Sequence, residues 1–242
     1  RPEDIEAFRE EMGLNDPFIV RYVNYMLGLC QGDLGTSYKT RDPVGEEVWA
    51  RLPNTAMLAL TSTVVAILLA LPLGIIAAIK QNTLFDGISM FISLLGISMP
   101  VFWMGLLLIL FFSVKLGWFP VSGADQGIKS LVLPSIALGF MHMASIARTT
   151  RSSMLETIRQ DYIRTVRAKG LPEKEVITRH ALRNALIPTT TVIGLQIGGM
   201  LGGSVLTESV FAWPGIGRYM IQSIQGRDIP SVMGCIIISV SS

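Results

Sequence analysis

The distribution of charge along this chain limits its folding options more than any other feature. Four stretches carry no Asp, Glu, Lys or Arg over lengths that can cross a bilayer: Ala56–Ile79, Gly87–Val114, Leu131–Ala147 and Leu186–Thr207. A membrane-spanning helix needs about 20 largely apolar residues. A soluble fold would have to bury all four runs, yet only 16% of the 242 residues are charged, too few to cover them. With a mean hydropathy of +0.50, the expected solvent is partly lipid.

Basic residues give the orientation, because cytoplasmic loops are enriched in Lys and Arg. Residues 148–183 hold nine basic and four acidic side chains, whereas residues 1–51 hold six basic and ten acidic ones. The basic loop is therefore expected inside and the N-terminal segment outside. Alternation then puts the Lys80–Asp86 turn inside, and Lys115–Ser130 and Glu208–Ile229 outside. An external start implies a helix before Arg1, and the apolar run from Pro230 is too short to span, so about six helices are expected when intact. The expected division is 1–51 as an extracytoplasmic segment after a missing first helix and 52–242 as the transmembrane domain, with a cytoplasmic loop at 148–185. Glu3–Met12 has helix-like composition, and Asp16-Pro17 marks a break after it.

Few residues offer chemistry. The chain has no phosphate-cradling G-x-x-x-x-G-K-[ST], no G-x-S-x-G and no H-E-x-x-H. Cys30 and Cys235 have no metal-ligand spacing and read as apolar fillers. His180 reads as a surface side chain. His142 lies inside a span between two methionines, where a pathway role and a packing role are both open. Pro100, in the middle of the second span, is expected to kink it. Trp118 and Phe119 sit at interface depth as anchors. Gly194, Gly198 and Gly202 recur four apart, the spacing that lets helices approach closely, so that face should meet protein. Gln196 in the same span reads as an interhelical hydrogen-bonding group.

The basic loop is the most informative region. Leu155, Ile158, Tyr162 and Val166 form an apolar stripe at helical spacing, with Gln160, Arg164 and Arg167 opposite. Gly170 suits a left-handed helix end, and Pro172 with Glu173 and Glu175 suits the start of the next helix. The stripe needs a partner, and three remain open: the chain's own spans, lipid headgroups or a cytoplasmic protein.

These residues also carry a resemblance. Asp161-Tyr-Ile-Arg-Thr-Val-Arg-Ala-Lys-Gly170-Leu with Arg179-His-Ala-Leu-Arg-Asn-Ala-Leu-Ile-Pro188 resembles the coupling loop of dipeptide/oligopeptide ABC importer permeases, the peptide/nickel branch. Gly32-Asp-Leu-Gly-Thr-Ser37, Gly96-Ile-Ser-Met-Pro100, Phe102-Trp103, Thr150-Arg-Ser-Ser153, Gly194-Leu-Gln-Ile-Gly198 and Glu208-Ser-Val-Phe-Ala-Trp-Pro-Gly-Ile-Gly217 resemble the same subunits. The resemblance implies an all-α, polytopic membrane bundle of the type I ABC importer permease kind, lacking here its first helix and part of its last. It also implies a multi-pass protein of a bacterial or archaeal cytoplasmic (inner) membrane. The implied partners are a second homologous permease, two cytoplasmic ATPases and an extracytoplasmic solute-binding protein. The chain would not be an enzyme and would hold no cofactor, with ATP and Mg in the ATPases. Tyr162, Arg164, Thr165, Ala168, Lys169, Gly170 and Leu171 are the implied ATPase-coupling residues. Arg164-Thr-Val166 stands where the wider superfamily has Glu-Ala-Ala, as is usual for the peptide branch. Peptides are the expected substrate, with nickel or metal chelates and glutathione as alternatives. A self-sufficient secondary transporter fits less well, since none of the four spans contains an acidic residue.

Overall fold

The computed structural model describes residues 15–241, and within them every regular element is helical. The Glu3–Met12 helix expected from sequence lies outside these residues. A 13-residue helix, α1 (Phe18–Cys30), leads through a turn closed by a Thr36–Pro43 bridge into α2 (Val44–Ile79). The chain continues as α3 (Leu84–Ser98), then α4 (Val101–Leu108), which relaxes into a π-helical run to Lys115, and α5 (Ile128–Ile158). The loop helix α6 (Asp161–Ala168) follows. One turn, α7 (Glu173–Glu175), then passes through π-helical Val176–Ala181 into α8 (Leu182–Gly203). The last three are α9 (Val205–Val210), α10 (Ile216–Gln225) and α11 (Ile229–Ser241).

Three helices are long and apolar enough to cross a membrane: α2, α5, and the run from Glu173 to Gly202 that contains α8. At 1.5 Å per residue, α2 is about 54 Å long and α5 about 46 Å, against a hydrocarbon core of about 30 Å. Both therefore project beyond the bilayer. The projecting start of α2 carries Glu46, Glu47 and Arg51, and the far end of α5 carries Arg148, Arg151 and Arg159 just beyond it.

The second span carries the kink expected at Pro100, as two helices, α3 and α4, bent by 104° at Met99-Pro100. Proline lacks the N–H that would continue the ladder, and its ring pushes Met99 into an extended conformation (φ −92°, ψ 125°).

Helix α5 is the axis of the core, packed on by α2, α3, α4 and α8. Its crossing with α2 is closed by reciprocal glycines. A Cβ on Gly74 would sit 2.6 Å from the Ala147 carbonyl oxygen, and one on Gly139 would sit 2.7 Å from that of Ser62. Ala59, Ala66, Ala70 and Ala77 continue this small-residue seam along α2, the geometry that lets helices pack in lipid without a hydrophobic drive between them. Gly96 of α3 lies against the Phe140 carbonyl of α5 in the same way.

The stretch singled out in the sequence packs differently. Ideal Cβ atoms on Gly194, Gly198 and Gly199 would meet nothing within 4 Å, and Gly202 only the Ser239 carbonyl at 3.5 Å. Only 17% of the most apolar part of the Glu173–Gly202 run is buried, against 67% for α5. Among the described residues Gly194, Gly198 and Gly199 thus face open space, because Gln196 and Met200 occupy the side of α8 turned toward α5 and α2.

The connections sort into two ends. The Lys80–Asp86 turn meets the basic loop through Arg151 with Asp86 and Arg159 with Gln81. At the other end Ser37 meets Asp228, Asn54 meets Pro214, and Gly123 bonds to Phe211. This is the sorting that alternation of the spans requires.

Candidate functional site

The loop after α5 is built on a buried stem. Helix α5 stops at Ile158, and Arg159 and Gln160 turn the chain into α6. Ile163 is fully buried among Met154, Val176, Ile177, Ala181, Ala185 and Ala78, with Leu155, Ile158, Val166 and Leu171 packed around this cluster. Leu155, Ile158 and Val166 of the apolar stripe therefore rest on the chain's own helices, the first of the three possible partners. The break at Arg159-Gln160 shifts the register, so the buried residue of α6 is Ile163 and not Tyr162. Tyr162 is exposed, and its hydroxyl accepts a bond from Asn184 Nδ2 at 2.7 Å.

The outer side of α6 carries Tyr162, Arg164, Thr165, Ala168, Lys169 and Gly170, all exposed, whereas Leu171 turns back onto the stem. Gly170 sits at φ +79°, a conformation that an L side chain adopts only at a cost, and its N–H bonds to the Arg167 carbonyl at 3.0 Å. Past Pro172, Arg167 grips Glu173 with two bonds of 3.0 and 2.7 Å. This pair ties the two sides of the turn together. Pro172 is the residue before the helix rather than within its first turn.

Beside this stem lies a two-pronged ion pair that charge counting does not reveal. Arg151 Nε and Nη2 donate to the two Asp86 oxygens at 2.8 and 2.7 Å. The Asn82 N–H donates to the same carboxylate at 3.1 Å.

At the opposite end, two buried carboxylates fasten a cap, and among the described residues both bond to neutral donors. Glu208 accepts bonds from Thr55 Oγ1 and Ser204 Oγ, both at 2.8 Å, and from the Arg218 N–H at 3.0 Å. Thr55 in turn accepts the Ile216 N–H at 2.9 Å. Gly215 and Gly217 let the loop close around the carboxylate, since a Cβ on Gly215 would clash with it. Trp213 Nε1 donates to the Asn54 carbonyl, while Asn54 Nδ2 donates to that of Pro214. The Glu208–Gly217 motif is thus a clamp of α9 and α10 onto α2. Asp228 likewise accepts the Ser37 and Ser231 hydroxyls and the Tyr38 N–H. Burial pushes the Asp228 carboxyl up, but these bonds outweigh it and hold it below the usual range. An acidic residue just past an apolar run, followed by Pro-Gly-x-Gly, was the available signal for the Glu208 clamp. Nothing local signals the Asp228 partners.

His142 and Gln196 find each other: the imidazole Nδ1 and the amide Oε1 bond between α5 and α8. The contact joins the two helices as the interhelical bond expected of Gln196. Phe119 joins a cluster with Phe112 and Phe211, while Trp118 is exposed and tilted against the Phe112 ring. Cys235 is buried and Cys30 exposed, both free. Among the described residues no three His, Cys, Asp or Glu side chains gather as a metal site.

Comparison with known proteins gives this geometry a context. Residues 70–242 match the family described as binding-protein-dependent transport system inner membrane component. The chain is 46% identical to the dipeptide transport system permease protein DppB of Alkalihalophilus pseudofirmus, over 98% of this chain and 79% of that protein. It is 43% identical to the oligopeptide permease AppB of Bacillus subtilis, over 98% and 78%. It is also 44% identical to the glutathione permease GsiC of Escherichia coli, over 97% and 76%. The fold matches a solved amino acid ABC transporter (TM-score 0.62, 16% identity, 80% of this chain and 86% of that one). It also matches the inward-facing MetNI methionine transporter (TM-score 0.64, 17% identity, 80% and 88%). The exposed loop on a buried stem, the spans and these relatives together assign the chain to the binding-protein-dependent transport system inner membrane components, among the dipeptide/oligopeptide ABC permeases.

Proposed function

We propose that this chain is the membrane-spanning permease subunit of an ATP-driven importer of di- and oligopeptides in a bacterial cytoplasmic membrane. Residues 1–51 would lie outside and residues 148–185 inside, as the Lys and Arg distribution argues. Its partners would be a second permease, two ATPases that bind ATP and Mg, and an extracytoplasmic solute-binding protein. The chain itself performs no hydrolysis. Binding-protein delivery and ATPase closure would bias the spans between inward- and outward-open states by their different affinity for each.

The observation that carries this reading is the outer face of α6. Its exposed residues cluster on a short helix whose other side is locked into the stem by Ile163. A displacement of the loop must therefore move α5 and the turn of α2 with it. In this reading Tyr162, Arg164, Thr165, Ala168, Lys169 and Gly170 contact the ATPase, and Leu171 anchors the turn behind them.

The test is uptake of labelled di- and tripeptides by cells lacking the gene, with and without the restored full-length protein. Peptide uptake that returns only with the protein supports the reading. Gly170→Arg should then abolish uptake with the protein still inserted, and normal uptake by that variant would refute the coupling assignment. Glutathione is the second reading, favoured by the GsiC relative, and labelled glutathione and nickel are run beside the peptides. Restoration of either one alone would overturn the peptide assignment.

A further inference from the structure

We propose that the Asp86–Arg151 ion pair is the positioning link that makes the broken span α3–α4 follow the coupling loop. The inference rests on the loop's role as proposed above and adds the route by which its movement reaches the rest of the molecule.

Arg151 lies on α5 two turns before Ile158, where the chain passes into the loop. Asp86 lies in the first turn of α3 and is buried, with 7% exposure. The seam between α3 and α5 is otherwise smooth. The buried residues of α3 are Asp86, Ser89, Ser93 and Gly96. Ser93 Oγ bonds back to the Ser89 carbonyl of its own helix at 2.8 Å. Ile92 is a half-buried aliphatic on the core, while Leu84, Phe85, Ile88, Phe91 and Leu94 all face outward.

Helices hold register when side chains project into facing holes, and a seam of serine and glycine offers few projections. Gly96 against the Phe140 carbonyl sets how near the two helices come, but a small-residue seam fixes their register and rotation only weakly. The bidentate pair supplies the missing constraint, because an Arg–carboxylate fork fixes direction as well as distance. Asn82 at φ +61° places its N–H on the same carboxylate, so the α2–α3 turn is tied in as well. Beyond the bend at Pro100, α4 carries Gly105 against Phe211 and Val210 of the cap held by Glu208. The pair thus stands at the start of a packed route from the loop to the opposite end of the bundle.

The test uses the complete transporter in proteoliposomes, with the partner permease, the ATPases and the binding protein. The readout is peptide taken up per ATP hydrolysed. Asp86→Asn and Arg151→Gln should each lower this ratio about fivefold or more, within the usual span of allosteric couplings, while hydrolysis persists. The double variant should be no worse than the poorer single, since both remove one interaction. Arg151→Lys keeps the charge but loses the fork. It should assemble like wild type and still hydrolyse ATP with reduced uptake, which separates a lost link from a lost fold. An unchanged ratio in Arg151→Lys, or single effects that multiply in the double variant, would overturn the proposal. If Gly170→Arg stops uptake while the Asp86 and Arg151 variants keep the wild-type ratio, this link alone fails. If Gly170→Arg transports normally, the loop assignment beneath it fails.

Discussion

At position 208 three donors, from Thr55, Ser204 and the Arg218 backbone, converge on one side chain that must accept from all of them. Thr55 already accepts the Ile216 N–H, so its own hydrogen has to point at Glu208. An amide cannot satisfy this arrangement, because its NH₂ would face a donor. Glu208→Gln should therefore destabilise the purified protein by about 1–3 kcal/mol, the cost of leaving buried donors unmatched, read as a lower thermal midpoint in detergent. A wild-type midpoint would show that the clamp is not needed for stability. Asp228 obeys the same logic and adds a pH dependence. Its carboxyl is held below the usual range, so its stabilisation is complete above the unfolded aspartate pKa and is lost only as pH falls through the lower folded value. The stability gap between wild type and Asp228→Asn should be flat from about pH 5 to 8 and narrow below about pH 4. A gap that narrows between pH 6 and 8 would contradict the network described here.

Among elements, the glycines show what local spacing can and cannot reveal. The four-residue repeat at Gly194, Gly198 and Gly202 is as regular as any packing motif, yet among the described residues Gly194 and Gly198 meet nothing and Gly202 only the Ser239 carbonyl. Gly74 belongs to no glycine repeat and meets α5 at backbone distance. Gly74→Val should cost about 1–3 kcal/mol by overpacking, whereas Gly198→Ala should leave the midpoint of the isolated subunit unchanged or slightly raised by helix propensity. Equal losses in the two variants would contradict the packing. The register of the loop carries a similar lesson. The apolar residues from Leu155 to Val166 read as one continuous stripe, but the break at Arg159-Gln160 rotates the second half and buries Ile163 in place of Tyr162. Helical periodicity is legible only as long as the helix is unbroken. Pro100 announced its break, but nothing local to it gives the 104° angle or the packing of α4 on Phe211.

Across the whole molecule, the outward face of α8 combines exposed Ile187 and Leu195 with Thr190, Thr191 and open glycines. Polar groups and bare glycines gain nothing from lipid, so this face is expected to be covered once the proposed second permease is present. A spin label on Thr191→Cys, in a Cys30→Ser background, should be open to lipid-phase oxygen in the lone subunit and protected several-fold in the assembled transporter. Equal oxygen access in both states would place the partner elsewhere. The spans, their alternation, the basic loop and its glycine corner were legible from sequence. Each follows from a local requirement: backbone hydrogen bonds closed within a segment, apolar length matched to a bilayer, and charge kept out of it. The tertiary structure alone decided which glycines touch backbone, that Asp86 belongs with Arg151, and that Ser37 meets Asp228 across 191 residues. Those partners are neighbours only after the chain has folded, and no spacing within a single helix records which distant group will arrive beside it.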